Sequence, residues 1–224
     1  MSTLSNVTTR RGELNPPSVS FTPDAFPEAK SSKTGASVSY IPSPDKKWYV
    51  LRILFGHGRM VADAMIESGD YAYVAMIWKD QWRDGKKCRV LRPFMNILFA
   101  YITDEEAENY VKKSVEARFI TYYYNHFITT AQGYNPPLTV SSESMEPLIR
   151  TTAILDEHVM EVDMKKCRFV SDDFVRVTEG PFEGVVGRVA RVARQNRVVV
   201  YIEGLQSGLT TAYIPPYFLE KINK

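Results

Sequence analysis

Residues Asp172–Val192 read DDFVRVTEGPFEGVVGRVARV. Short β-branched runs broken by Gly180, Gly184 and Gly187 read as strands joined by tight turns. The chain continues in the same manner through NRVVVYIE from Asn196, LTTAYI from Leu209 and FLEKI from Phe218. Such a series of short strands closes into a small barrel. Gly187 stands where a barrel strand bends, and its missing side chain lets another backbone come close. Asn196 and Arg197 are read as the turn into VVVYIEG. Arg188, Arg191, Arg194 and Arg197 recur every third residue, as on a basic helix, but Gly184, Gly187 and Asn196 around them favour strands and a turn.

Upstream, a different pattern holds. KKWYVLRIL (Lys46–Leu54) is β-branched and aromatic and is bounded by Gly56 and Gly58, which marks a strand. Met60, Val61, Ala64 and Met65 follow at helical spacing, with Gly69 placed to stop the helix. YAYVAMIW (Tyr71–Trp78) reads as a second strand, Asp84-Gly85 as a hairpin turn, and CRVLRPFMNILFAYI as the returning chain. Thr103 before Asp104, Glu105 and Glu106 is a capping box. Ala107, Tyr110, Val111 and Val115 supply that helix with an apolar stripe. FITYYYNHF reads as another strand. A third helix opens at Ser141 and buries Met145, Leu148 and Ile149, with Pro147 expected to bend or delay it. Strand–helix–strand–strand–helix–strand is a split βαβ or ferredoxin-like plan. The expected class is therefore α+β: a ferredoxin-like domain over 46–160, a linker over 161–170 and a small barrel over 171–224. Residues 1–45, rich in Ser, Thr and Pro with isolated Leu14, Val19, Phe21 and Phe26, are expected to be disordered.

Composition bounds the function. The 224 residues carry a formal net charge of only +2, which argues against a histone-like or polyanion-coating protein but leaves room for a local basic patch. No run approaches the roughly 18 apolar residues of a membrane span. MSTLSNVTTRRGELNPPS has no apolar h-region, so no secretory signal is expected. Cys88 and Cys167 lie far apart, and unpaired thiols of a reducing cytoplasm are the expectation. His57, His126 and His158 lack partners at metal-ligand spacing. Gly56-His57-Gly58 is too slight for a nucleotide site, and no P-loop, nucleophile elbow or H-E-x-x-H occurs. The chain reads as a cytoplasmic binding protein without catalytic machinery or cofactor.

Gly180-Pro181-Phe182, then Gly184, then Gly187-Arg-Val-Ala-Arg-Val resembles a KOW motif. A Trp-Tyr-opening ferredoxin-like domain followed by a KOW barrel resembles NusG-type transcription elongation factors, whose N-terminal part is the NGN domain. The likeness runs from about Lys46 to Ile222. The N-terminal extension and the tract YYYNHF…GYNPPLTV place it nearest the specialised antiterminator branch, the UpxY- and RfaH-like paralogues.

The resemblance implies a monomer that binds the clamp helices of RNA polymerase and suppresses pausing or termination on selected operons. The family's docking strand matches Phe94-Met95-Asn96-Ile97-Leu98-Phe99-Ala100. By strand alternation, Phe94 shares one face with Asn96, and Ile97 shares the other with Phe99. Taken singly, each of these apolar residues reads as core. As a group, Phe94, Ile97 and Phe99, with Tyr122, Tyr123 and Phe169, are the implied polymerase-binding set. At least one ring of Tyr122–Tyr124 must face away from the interior. In KDQWRDGKKCRVLR, residues Lys79, Trp82, Arg83, Lys86, Lys87 and Arg89 are implied to lean toward upstream or non-template DNA, the cations meeting phosphates and Trp82 stacking. On the barrel, Ile202 and Glu203 are the implied partner-binding pair, with a small-subunit ribosomal protein as the expected partner. Glu203 stands where general factors carry Phe on a strand, so binding of the termination factor Rho is expected to be weak. The other reading is a KOW-type RNA- or ribosome-binding protein without a polymerase role, marked by salt-dependent RNA affinity.

Overall fold

A computed structural model describes residues 40–222. The expected extension thus falls mostly outside the described residues. Of residues 40–45, however, two are packed, Tyr40 and Ser43, while Ile41, Pro42, Pro44 and Asp45 are exposed. The Tyr40 ring lies 5.2 Å from Trp48 and 4.7 Å from Tyr101. Ser43 both donates to and accepts from the Tyr101 hydroxyl.

The chain is α+β, and the strands in its sheets pair antiparallel. β1 (Lys47–Ile53) is central to the first sheet, and α1 (Gly58–Glu67) follows it. The stretch expected as one strand from Tyr71 divides: β2 (Tyr71–Tyr73) stays in the first sheet, whereas β3 (Met76–Arg83) leaves it to form a two-stranded ribbon with β4 (Lys86–Pro93). The ribbon turns at Asp84–Gly85, both at positive φ, the geometry a right-twisted hairpin takes. A 3-10 turn, Phe94–Asn96, leads into β5 (Ile97–Ile102).

Thr103 then caps α2 (Asp104–Glu108) as a full capping box. Its hydroxyl accepts from the Glu106 amide at 3.2 Å, and the Glu106 carboxylate accepts from the Thr103 amide at 2.8 Å. The helix loosens into a π turn and a 3-10 turn, which leaves Val115 exposed rather than in the expected stripe. β6 is only Ile120–Tyr122, and β7 is Thr139–Val140. The sheet order is β2-β5-β1-β6, with β7 also pairing β1. α3 (Ser142–Ala153) starts at its Ser141 cap and runs through Pro147 without delay.

The second sheet comprises β8 (Met160–Asp163), β9 (Phe169–Val177), β10 (Val186–Val192), β11 (Gln195–Val200), β12 (Ser207–Tyr213) and β13 (Leu219–Ile222). Their order is β13-β9-β10-β11-β12-β8. Residues 161–170, expected as a linker, therefore contribute an edge strand and the start of β9. The β10–β11 turn is Ala193–Arg194, and Asn196 and Arg197 belong to β11 rather than to the turn. Gly187 behaves as expected: a Cβ there would lie 2.4 Å from the Val199 carbonyl oxygen.

Alternation along β1 and β5 builds two cores. Tyr49, Leu51, Ile53, Leu98, Ala100 and Ile102 face α1 through Val61, Ala62 and Met65. Trp48, Val50, Ile97, Phe99 and Tyr101 face the other way, where they join Met145, Leu148 and Ile149 of α3 and then Val198, Val200 and Leu209 of the second sheet. The two sheets thus share one apolar interior.

Candidate functional site

The 3-10 turn at Phe94–Asn96 puts Met95 and Asn96 at positive φ and breaks the simple alternation. As a result Phe94, Ile97 and Phe99 all enter the same core, each at most 1% exposed. The expected opposition of Phe94 to Ile97 and Phe99 is therefore absent, and none of the three lies on the surface. Tyr123 is also buried, with the Arg52 guanidinium 5.6 Å from its ring centroid. Tyr122 is half-buried on the opposite face beside Tyr49 and Tyr124. Tyr124, at 43% exposure, is the ring of the three that faces outward. Phe169 sits in the second sheet with the Arg188 guanidinium 4.1 Å above it. Of the six implied docking residues, none is an exposed apolar side chain.

The ribbon divides into an anchored root and a free tip. Trp78 Nε1 donates to the Leu155 carbonyl at 2.8 Å, and Lys79 pairs with Glu161 at 2.7 Å. Arg89 meets Asp80 and Glu157, and Lys87 meets Asp80 at 2.8 Å. The Lys87 hydrogen bond, seconded by Arg89, holds the Asp80 carboxyl below its ordinary range. Three of the six expected nucleic-acid residues are therefore engaged within the protein. Trp82 is 72% exposed at the tip, and Arg83 and Lys86 form no ion pair among the described residues. These three remain available to an anionic partner.

On the second sheet, β11 ends at Val200, so Tyr201-Ile202-Glu203-Gly204 is a turn rather than the expected strand. Ile202 points into the shared core and Glu203 is exposed. The carboxylate is solvated, so it incurs no burial cost where it stands. Beside it lies a groove of about 510 Å³, walled by Phe127, Ile128, Leu138, Met164, Tyr201 and Leu205. Phe127 and Ile128 are 68% and 54% exposed. They were missed because FITYYYNHF reads as continuous strand, whereas the chain leaves β6 after Tyr122. The Asn125 carboxamide then accepts from the Phe127 amide and starts a local turn.

Among the described residues, no group of three or more His, Cys, Asp or Glu is placed to hold a metal ion. No helix among them is long and apolar enough to cross a membrane. Cys88 and Cys167 are both free thiols. No family model matches the chain, and no curated protein is significantly similar to it.

Proposed function

We propose that the chain is a NusG-like elongation and antitermination factor, a specialised paralogue that holds RNA polymerase in its elongating state on selected operons. The observation that carries this reading is the order of elements. The arrangement β2-β5-β1-β6, with β1 and β2 joined through α1 and separated by β5, is that of a split βαβ unit. Short antiparallel strands follow, with Gly187 pressed against the Val199 carbonyl in the stretch that resembles a KOW motif.

The mechanism is mechanical. A polymerase that exchanges between paused and elongating states is biased toward whichever state the factor binds more tightly. The ribbon tip supplies Trp82 for base stacking and Arg83 and Lys86 for phosphates of the flanking DNA. Phe94, Ile97 and Phe99 sit under α3, in an interior that continues into the second sheet. Clamp docking through that face requires those layers to part, and each large apolar side chain uncovered costs about 1.5–3 kcal/mol. Tyr124 is accessible without such opening.

The test is binding of the full chain to a peptide hairpin carrying the clamp helices, paired with a pausing assay on purified polymerase. Micromolar binding and shortened pauses are expected, with Tyr124→Ala weakening both at an unchanged melting temperature. A folded chain that neither binds the hairpin nor alters pausing overturns the reading. Ile97→Asp is uninformative, because a carboxylate at this fully buried position unfolds the sheet.

A further inference from the structure

The groove beside Glu203 is assembled from separate parts of the chain. Phe127 and Ile128 come from the loop after β6, Leu138 immediately precedes β7, Met164 follows β8, and Tyr201 and Leu205 belong to the turn between β11 and β12. These parts meet closely, since a Cβ at Gly204 would lie 2.5 Å from Leu138 Cδ1. Phe127 and Ile128 are consecutive and both largely exposed, so the walls include apolar surface that the described residues leave open. At about 510 Å³ the groove has the size that encloses a side chain or small ligand rather than a flat protein face. Its rim carries both signs of charge. Exposed Glu203 lines it, and exposed Lys165 directly follows the wall residue Met164. Neither forms an ion pair among the described residues.

Residues 1–39 join the fold next to this groove. Tyr40, the first described residue, lies against Trp48 and Tyr101. Those two residues line a smaller cleft of about 310 Å³ together with Thr139, and Thr139 also walls the groove. The steps along β1 are short: Trp48 pairs with Val140, Tyr49 with Thr139, and the Val50 amide donates to the Leu138 carbonyl at 3.0 Å. The two hollows therefore adjoin. The nearest aromatic residue upstream of Tyr40 is Phe26, fourteen residues away, and chain of that length spans up to about 50 Å. Phe26 sits in DAFPEAK (Asp24–Lys30), where Asp24, Glu28 and Lys30 match a rim of mixed sign. Phe21, in SVSFTP, has no charged residue within two positions.

We propose that this groove is the docking site for the chain's own segment Asp24–Lys30, with Phe26 as the inserted side chain. Pro27 disfavours helix at Phe26, so the segment enters as extended chain. Phe26 takes apolar contact from Phe127, Ile128 and Met164, Lys30 reaches Glu203, and the flanking carboxylates face Lys165. Tethering gives the segment an effective concentration on the order of millimolar, which a free peptide or a second copy has to exceed. The docked segment lies over Glu203, so a partner for the Ile202–Glu203 turn binds only after displacing it. The docking itself does not rest on the polymerase reading, because it uses none of the implied polymerase-binding residues.

Methyl NMR of the full chain tests the proposal through Ile128 and Met164. Phe26→Ser is expected to shift both signals as the ring leaves the groove, whereas Phe21→Ser leaves them in place. A labelled peptide of residues Pro17–Ser32 is then titrated by fluorescence anisotropy. It is expected to bind the Phe26→Ser chain about 10-fold more tightly than wild type, whose groove is already occupied. Adding Ile128→Asp to that chain is expected to abolish the binding. Ile128 is more than half exposed, so its replacement is expected to leave the melting temperature unchanged, and the loss reads the groove rather than the fold. Signals that ignore Phe26→Ser, or that answer Phe21→Ser equally, overturn the proposal. So does peptide binding that survives Ile128→Asp. Shifts that depend on protein concentration also overturn it, since the segment would then dock on a second copy.

Discussion

Gly187 has no room for a side chain. A Cβ there would lie 2.4 Å from the Val199 carbonyl oxygen and 2.8 Å from Val198 Cγ1. The nearer obstacle is the backbone of the paired strand, so relief requires β10 and β11 to move apart. Gly187→Ala is expected to destabilise the protein by about 1–3 kcal/mol. A thermal melt reads this as a fall of about 2–4 °C in Tm per kcal/mol at this chain length; an unchanged Tm would show that the ladder yields without cost. This residue was legible in advance, because a lone glycine inside a strand signals a close approach. The buried bond from Tyr73 to Thr152 was not. Its partners stand 79 residues apart and meet at 2.6 Å only because α3 lies over β2. Burial pushes the Tyr73 phenol well above its ordinary range, so the hydroxyl stays protonated and keeps its hydrogen bond.

At the level of elements, α2 is short and leans on its start. Thr103→Ala removes the acceptor for the Glu106 amide and is expected to cost about 0.5–2 kcal/mol, seen as a lower denaturant midpoint at constant slope. Asp104, in the first turn, accepts from the Tyr49 hydroxyl at 2.6 Å and pairs with Lys47 at 3.0 Å. The Tyr49 hydrogen bond, with the Lys47 one behind it, holds its carboxyl below the ordinary value of 3.8. A carboxyl depressed in the folded state stabilises the fold above that ordinary value, and the contribution is lost as pH falls through the lower, folded one. In Tyr49→Phe the Asp104 titration followed by NMR is expected to move up toward 3.8, and acid unfolding is expected to begin at higher pH. A titration that stays in place would assign the shift to Lys47 alone. The capping box was readable because its bonds are local. The exposure of Val115 was not, since the helix gives way to π and 3-10 turns before the apolar period can continue. The ribbon was half readable: Asp84–Gly85 announces the turn, but nothing in YAYVAMIW marks the point where the chain leaves one sheet for another.

At the scale of the whole molecule, the two sheets share an interior and a set of polar ties. Buried Arg197 donates from Nη1 to the His158 carbonyl at 2.7 Å and to the Thr211 carbonyl at 3.2 Å. Lys79 and Trp78 tie the ribbon to the segment that enters the second sheet. Calorimetry on the full chain is therefore expected to show one cooperative transition, with calorimetric and van't Hoff enthalpies in agreement. Arg197→Met strands both carbonyls and is expected to lower that transition by about 1–3 kcal/mol. Two separate transitions in the wild type would mean that the sheets fold independently, as the sequence-based division into two domains expects.

What the sequence determined by itself was the α+β class, most strand and helix positions, the Thr103 and Ser141 caps and the need for glycine at position 187. All of these depend on period, local hydrogen bonds or backbone sterics, which act within a few residues. Tertiary structure alone decided that Phe94, Ile97 and Phe99 face inward together, that residues 160–163 complete the second sheet, and that Lys79, Lys87 and Arg89 are engaged by carboxylates while Arg83 and Lys86 are not. These outcomes depend on which distant segment covers a face or supplies a carboxylate. An apolar stripe records only that a face is to be buried, and a basic run only that it is charged. The partner is chosen when the layers pack.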